Sequence, residues 1–207
     1  MNMTQYLAEV RPAIEVTIAA IWGDIRDLDL LTKEVRHLTD RTHAEYDRVD
    51  SVLSIDPNDD EGLATMQYWD TYFGVDKDRF YKNQSLEELQ QRVDLKRFSL
   101  NVLSGSVLQI GKQGMSIANN GLDASAAGRL VGTQPLKNVI WQGRNQAMHW
   151  EEGRLNRAVQ DCFATLAADI DGKFANYSNE SMAFHVLQLL NWTSFDAFSA
   201  DMMSLSA

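Results

Sequence analysis

The chain has 207 residues, with 19 basic against 29 acidic side chains and a formal charge of −10 at neutral pH. That length buries one core, or a core with a helical extension, and leaves little room for two separate domains. A charge this negative excludes a general nucleic-acid coat protein, whose affinity comes from neutralising many phosphates, and no apolar run approaches the ~18 residues of a membrane span.

Only three prolines interrupt the chain, so the punctuation that strands and hairpins need is scarce and helix is the default reading. The start, Met1-Asn2-Met3-Thr4-Gln5, lacks a basic segment followed by an apolar one, and a cytoplasmic protein with no membrane partner is expected. From Leu7 the apolar residues Val10, Ile14, Ile18, Ile21, Ile25, Leu28, Leu31, Val35 and Leu38 alternate steps of three and four, the stripe of an amphipathic helix. The phase continues through Tyr46, Val49 and Leu53, so the segment to about Ser54 is either one very long helix or a tight helical hairpin. His37 and His43 fall on its charged side, and a spacing of six with no third ligand is not a zinc pattern.

Asp56-Pro57-Asn58-Asp59-Asp60-Glu61-Gly62 breaks that helix, because proline disfavours helical geometry before it and the Asn/Asp cluster supplies turns. The spacing does not fit an EF-hand loop. Tyr68, Trp69, Tyr72, Phe73, Phe80 and Tyr81 follow. Packing against the first helix is the expectation for these rings, with stacking on bases as the alternative.

Ser85-Leu86-Glu87-Glu88 has the capping-box pattern and predicts the start of a second long helix carrying Leu86, Leu89, Val93, Leu100, Leu103, Val107, Ile110 and Ile117. Gly105, Gly111 and Gly114 inside it match no phosphate loop and predict close approach of another helix. Asn119-Asn120-Gly121 ends it. Pro135 opens a helix running to about His149 and halted near Gly153, and Leu155, Val159, Phe163, Leu166, Ile170 and Phe174 mark the next, with Cys162 on its apolar stripe. Ser178 to Ser181 introduce a helix with Val186, Leu187 and Leu190, and Thr193-Ser194 one with Phe195, Phe198 and Met202. Five to seven helices and no convincing strand predict an all-α bundle.

On the helix from Pro135 the apolar positions are Leu136, Ile140, Gly143 and Ala147. At about 100° per residue, Asn145 and His149 fall nearly opposite that stripe, with Arg144 on its flank. A structural histidine would simply close the helix near the negative end of its dipole. Grouped with an arginine and an asparagine, the ring can instead exchange a proton with a hydroxyl or a leaving group, while the guanidinium offers forked donors to a phosphate gaining charge. The set suits attack of an RNA 2′-hydroxyl on the adjacent phosphodiester, a reaction that calls for no metal and no cofactor. Between Asn101 and Ala158 six basic residues stand against three acidic ones. This is either a locally positive site for a phosphate-containing target, with Lys137 and Arg154 as candidate substrate-binding residues, or a chance excess.

The run Gly143-Arg144-Asn145-Gln146-Ala147-Met148-His149 resembles the HEPN signature, in which an arginine, a polar residue and a short spacer lead to a histidine near a helix end. Leu103 to Ala118 resembles the long helix before that motif, and Leu187 to Met203 is similar to closing segments of the family. The resemblance covers about residues 85–207, and the first 84 have no counterpart in it. It implies a HEPN-like antiparallel bundle over 85–207, with residues 1–84 as a long helical extension packed on it. It further implies a homodimer whose two motifs line a shared cleft, and in many members a metal-independent ribonuclease of toxin-antitoxin, defence or stress systems. Carried over, His149 would be the general acid/base, Arg144 the transition-state stabiliser and Asn145 the positioning group. Glu151 stands where the nucleotidyltransferase-paired branch has tyrosine, and Glu151 and Glu152 would repel RNA unless they point aside. The alternative is an inactive HEPN-like module that uses the same cleft to bind a partner protein, a nucleotide or RNA. No DNA duplex is expected as a partner.

Overall fold

The computed structural model describes residues 1–206, with Asp24 described by its backbone alone. Helix dominates. In chain order the α-helices are α1 (Met3–Ile55), α2 (Leu63–Thr71), α3 (Lys77–Leu95), α4 (Arg97–Ala118), α5 (Leu136–His149), α6 (Arg157–Asp169), α7 (Ala183–Leu190) and α8 (Phe195–Ser204). A π turn at Tyr72–Asp76 and 3-10 turns at Trp150–Glu152 and Gly172–Asn176 complete the helical segments. Among the described residues no helix is long and apolar enough to cross a membrane.

The chain divides into two compact units, Met1–Trp22 with Lys96–Ala207, and Gly23–Leu95. The N-terminal extension as drawn from the sequence, residues 1–84, is thus shared between the units. Of the two readings left open for the first 54 residues, α1 is one helix.

In the first unit α4 packs on α5, α7 and α8, and α5 also on α6 and α7. Val107, Leu108 and Met115 of α4, Leu136, Val139 and Ile140 of α5, Cys162 and Phe163 of α6, and Phe198 and Met202 of α8 are all buried. Each such side chain removed from water contributes roughly 1.5–3 kcal/mol before entropy is counted. The beginning of α1 joins this core through Tyr6, Ile14, Ile18 and Ile21. The glycines of α4 admit neighbours as their spacing predicts. A Cβ at Gly114 would lie 2.6 Å from the Tyr6 ring, and one at Gly111 3.4 Å from Ile140 and Trp192.

Three local expectations fail. Ser85 does not start a helix: it lies inside α3, its hydroxyl donating to the Tyr81 carbonyl at 3.1 Å, and the break falls instead at Lys96 between α3 and α4. With no Gly or Pro just ahead of Ser85, the helix runs on and the hydroxyl bonds back to its own turn. A short antiparallel pair, Leu130–Val131 with Gln134–Pro135, precedes α5 where no strand is predicted. Its turn is closed by Gly132 at φ 63, and the Asp169 carboxylate accepts from the Thr133 hydroxyl and amide. Two residues per strand are too few for an alternating pattern to appear.

The third failure, a partial one, lies in the second unit, Gly23–Leu95. Its turn is ordered by Asp59, in left-handed conformation at φ 51, whose carboxylate accepts from the Ala64 and Thr65 amides at 2.8 Å each. Hydrogen bonding from Thr65 and Ala64 holds that carboxyl below its ordinary range. The expected packing of the six aromatic rings on the first helix is met only in part: Tyr68 lies 5.6 Å from the ring of Tyr46 on α1, but the rings are not buried by it. Tyr68, Trp69, Tyr72, Phe73, Phe80 and Tyr81 are between 41% and 63% exposed.

Candidate functional site

Pro135 enters α5 in extended conformation at φ −67, leaving Leu136, Val139, Ile140, Gln142, Gly143 and Gln146 on the buried face. Gly143 seats that face against Val186 of α7, where a Cβ would come within 3.2 Å. Gln146, in the middle of the motif, is fully buried. Its amide nitrogen donates to the Tyr177 and Glu180 carbonyls at 2.7 Å, and its oxygen accepts from the Met182 amide at 2.8 Å. A core glutamine is invisible to a search for apolar stripes, although its place three residues after Gly143 puts it on the same face.

The inward pull of Gln146 sets the direction of its neighbours. Arg144, half-buried, donates from Nε to Oε1 of Gln109 on α4 and from Nη1 to Oδ1 of Asn145 at 3.3 Å. Asn145 donates in turn to Oε1 of Gln142 at 3.3 Å. The arginine is therefore held against α4 by an amide that the sequence gives no reason to single out.

His149 is the last residue of α5, and the chain then tightens into the Trp150–Glu152 turn and stops at Gly153 with φ 67. The turn swings Glu152 back, so its Oε1 lies 2.6 Å from Nδ1 of His149, with both side chains about half-exposed. A carboxylate only accepts, so Nδ1 carries the hydrogen, and whenever the ring is neutral Nε2 has the lone pair. A neutral ring in that tautomer is arranged to receive a proton at Nε2. Glu152, expected to repel RNA, is thus turned onto the imidazole.

Between α4 and the end of α5 runs an open groove of about 760 Å³. Gln109, the partner of Arg144, lies in its wall with Phe98, Val102, Gly105, Met148 and Glu151. Phe98, Val102 and Met148 are each at least half exposed. At its edge Arg97 pairs with Glu180 at 2.6 Å. Of the other predicted residues, Lys137 is remote: it donates to the Ser125 carbonyl at 2.9 Å, and 12 residues of helix put it ~18 Å from His149 along the axis. Arg154 is exposed just beyond the Gly153 turn. His185 is half-buried and lies 3.1 Å from Gln188 Oε1. Among the described residues, no three His, Cys, Asp or Glu side chains come together as a metal-ion cluster.

No protein-family model, curated protein or solved structure matches the chain.

The acidity is uneven. Residues 23–95 contain 18 acidic and nine basic side chains, a formal −9, whereas residues 1–22 and 96–207 together contain 11 acidic and ten basic, a formal −1. The unit that carries α5 is close to neutral, and its electrostatic barrier to a phosphate ligand is correspondingly low.

Proposed function

We propose that the chain is a HEPN-type ribonuclease that cleaves RNA by attack of the 2′-hydroxyl on the adjacent phosphodiester, with Arg144, Asn145 and His149 as its working residues. The observation that carries the reading is the Glu152–His149 pair at the end of the helix that bears Arg144 and Asn145. His149 Nε2 takes the proton of the 2′-hydroxyl, and the 2′-oxygen bonds to phosphorus. The phosphorus–5′-oxygen bond then breaks, and the leaving oxygen is protonated by the imidazolium of a second copy. The products are a 2′,3′-cyclic phosphate and a 5′-hydroxyl. Arg144 supplies charge-assisted donors to the phosphoryl oxygens as their charge grows, and Asn145 keeps the guanidinium in place.

The same reading takes the chain to be a HEPN-like antiparallel bundle working as a homodimer in the cytoplasm, in a toxin or phage-defence system. The apolar wall formed by Phe98, Val102 and Met148 beside α5 is the face on which a second copy would seat. The bond from Arg144 to Gln109 favours a second reading, an inactive module binding a partner protein, nucleotide or RNA, because a guanidinium engaged by its own protein is less available to a phosphate.

Cleavage of single-stranded RNA in the presence of a chelator separates the two. His149→Ala is expected to lose at least about a hundredfold in rate, Arg144→Ala a comparable amount, and the remote Lys137→Ala almost nothing. Equal rates for wild type and His149→Ala would remove the nuclease reading.

A further inference from the structure

The six exposed rings of the second unit fall in two groups, Tyr68 to Phe73 and Phe80 with Tyr81, that meet at one depression. Trp69 stacks on Phe73 with centroids 5.6 Å apart, Tyr68 on Tyr72 at 6.3 Å, and Tyr72 meets Phe73 edge-on at 5.1 Å. The π turn at Tyr72–Asp76, with Gly74 outside helical geometry, carries this row into α3, where Phe80 packs edge-on against Tyr81 at 5.7 Å. Tyr72, Phe73, Phe80 and Tyr81 line a depression of about 380 Å³. Contiguous apolar patches of this kind mark interaction sites on soluble proteins, and π turns are frequent at functional positions.

Charge decides the occupant. The unit carries −9, and of the bases near the rings Arg79 pairs with Asp76 at 2.6 Å and Lys82 with Glu34 at 3.1 Å, while Lys77, on the wall of the depression, stands between Asp76 and Asp78 in the chain. A polyanion gains affinity by replacing counterions with protein cations, and here it would meet a surplus of carboxylates. A second copy would set −9 against −9, and like-charge juxtaposition disfavours that pairing. A cationic, apolar protein segment satisfies both features, its apolar face covering the rings and its Lys or Arg side chains meeting ring faces and the surrounding carboxylates. We propose that the aromatic surface at Tyr68–Tyr81 is a docking site for a basic amphipathic segment of a partner protein. It is independent of the chemistry assigned to α5.

The test uses the full chain and a fluorescent synthetic lysine–leucine peptide of helical period, by anisotropy. Wild type should bind it, and the doubly substituted Trp69→Ser, Phe73→Ser chain should bind about tenfold more weakly. Because both residues are substantially exposed, the circular-dichroism melt should not change; Phe80→Ser gives a second, separate lesion should the double variant unfold. A glutamate–leucine peptide should not bind. Equal binding to wild type and the aromatic variants would overturn the proposal. So would equal binding of a lysine–serine peptide lacking an apolar face, ring-dependent binding of a single-stranded oligoribonucleotide, or self-association abolished by the aromatic substitutions.

Discussion

Arg129 and Asp201, 72 residues apart in the chain, meet through two parallel bonds, Nε to Oδ1 at 2.8 Å and Nη2 to Oδ2 at 2.9 Å. The same carboxylate accepts the indole N–H of fully buried Trp192 at 2.9 Å, while the guanidinium also donates to the Leu190 carbonyl. One aspartate of α8 thereby ties together the loop before α5 and the end of α7. The Asp201 hydrogen bond pushes the guanidinium pKa further up, so the arginine side of the pair is charged at every working pH. Asp201→Ala removes the acceptor of a buried indole N–H and leaves the guanidinium with the Leu190 carbonyl but without its counter-charge. Because the arginine side chain is 44% exposed, part of its loss is recovered from water. The expected cost is about 2 kcal/mol, read as a lower urea midpoint with an unchanged slope.

Gln146→Leu should cost more. The leucine keeps the volume but strands the Tyr177 and Glu180 carbonyls and the Met182 amide, three backbone groups that the Gln146 amide bonds. Buried unsatisfied groups cost roughly 1–3 kcal/mol each, with partial relief by local movement, so about 3 kcal/mol is expected for the set. Hydrogen exchange should report where the loss falls, with the Met182 amide exchanging faster in the variant.

These residues also show what was legible in the sequence. The stripes of α1, α5, α6 and α7 and the Ser194 cap of α8, which accepts from the Ala197 amide, are local patterns, and local patterns survive into the fold. So does the approach of neighbours at Gly111 and Gly114. Arg129, Gln109 and Gln146 stayed hidden, because each acts through partners between 31 and 72 residues distant and no periodicity encodes such a pairing. The Ser85 motif misled for the converse reason: its local pattern was complete, but the helix had begun upstream. On α5 the outward position of His149 was legible from helical phase alone, whereas the pairing of Glu152 with the ring depends on the 3-10 turn after α5.

Glu152→Gln tests that pairing. An amide can present either its oxygen or its nitrogen to Nδ1, so it no longer imposes a single tautomer on the ring. Nitrogen NMR of the ring should show His149 protonated on Nδ1 in the wild type and a mixture of tautomers in the variant. Where cleavage is measured, the rate should fall on the order of tenfold, as for other partners that orient a functional histidine. An unchanged tautomer would mean that the pair is no more than a surface contact.

Gly114→Ala should bring α1 and α4 into conflict. The added methyl would lie 2.6 Å from Cε1 of Tyr6 and 2.8 Å from the Met202 methyl. Methionine can bend away, but the Tyr6 ring is held by its hydroxyl bond to the Ile110 carbonyl at 2.7 Å. Overpacking of this type costs roughly 1–3 kcal/mol. The double variant Gly114→Ala, Tyr6→Ala should not add a second full penalty, since the first substitution has already disturbed the contact that the second removes. Thermal melts of the four chains in that cycle measure the coupling.

Alkaline pH should destabilise the fold through two buried groups. Burial pushes the Cys162 thiol up to about 12 from 9.0 and the Tyr6 phenol up to about 12 from 10.0. Both groups are neutral when protonated, and the folded state holds the proton more tightly than the unfolded one. Below pH 9 both states are protonated and neither group makes stability depend on pH. From pH 9 upward the unfolded chain releases the thiol proton, and from pH 10 the phenol proton, while the folded chain keeps both. The unfolded state then binds fewer protons, and stability falls as pH rises, approaching about 1.4 kcal/mol per pH unit for each group until the folded chain titrates too. Cys162→Ala should flatten the first part of that fall, visible in urea midpoints compared at pH 8 and pH 10. Native Cys162 should also resist iodoacetamide at pH 8 and react on unfolding, because only the thiolate attacks and the buried sulfur is held in its thiol form.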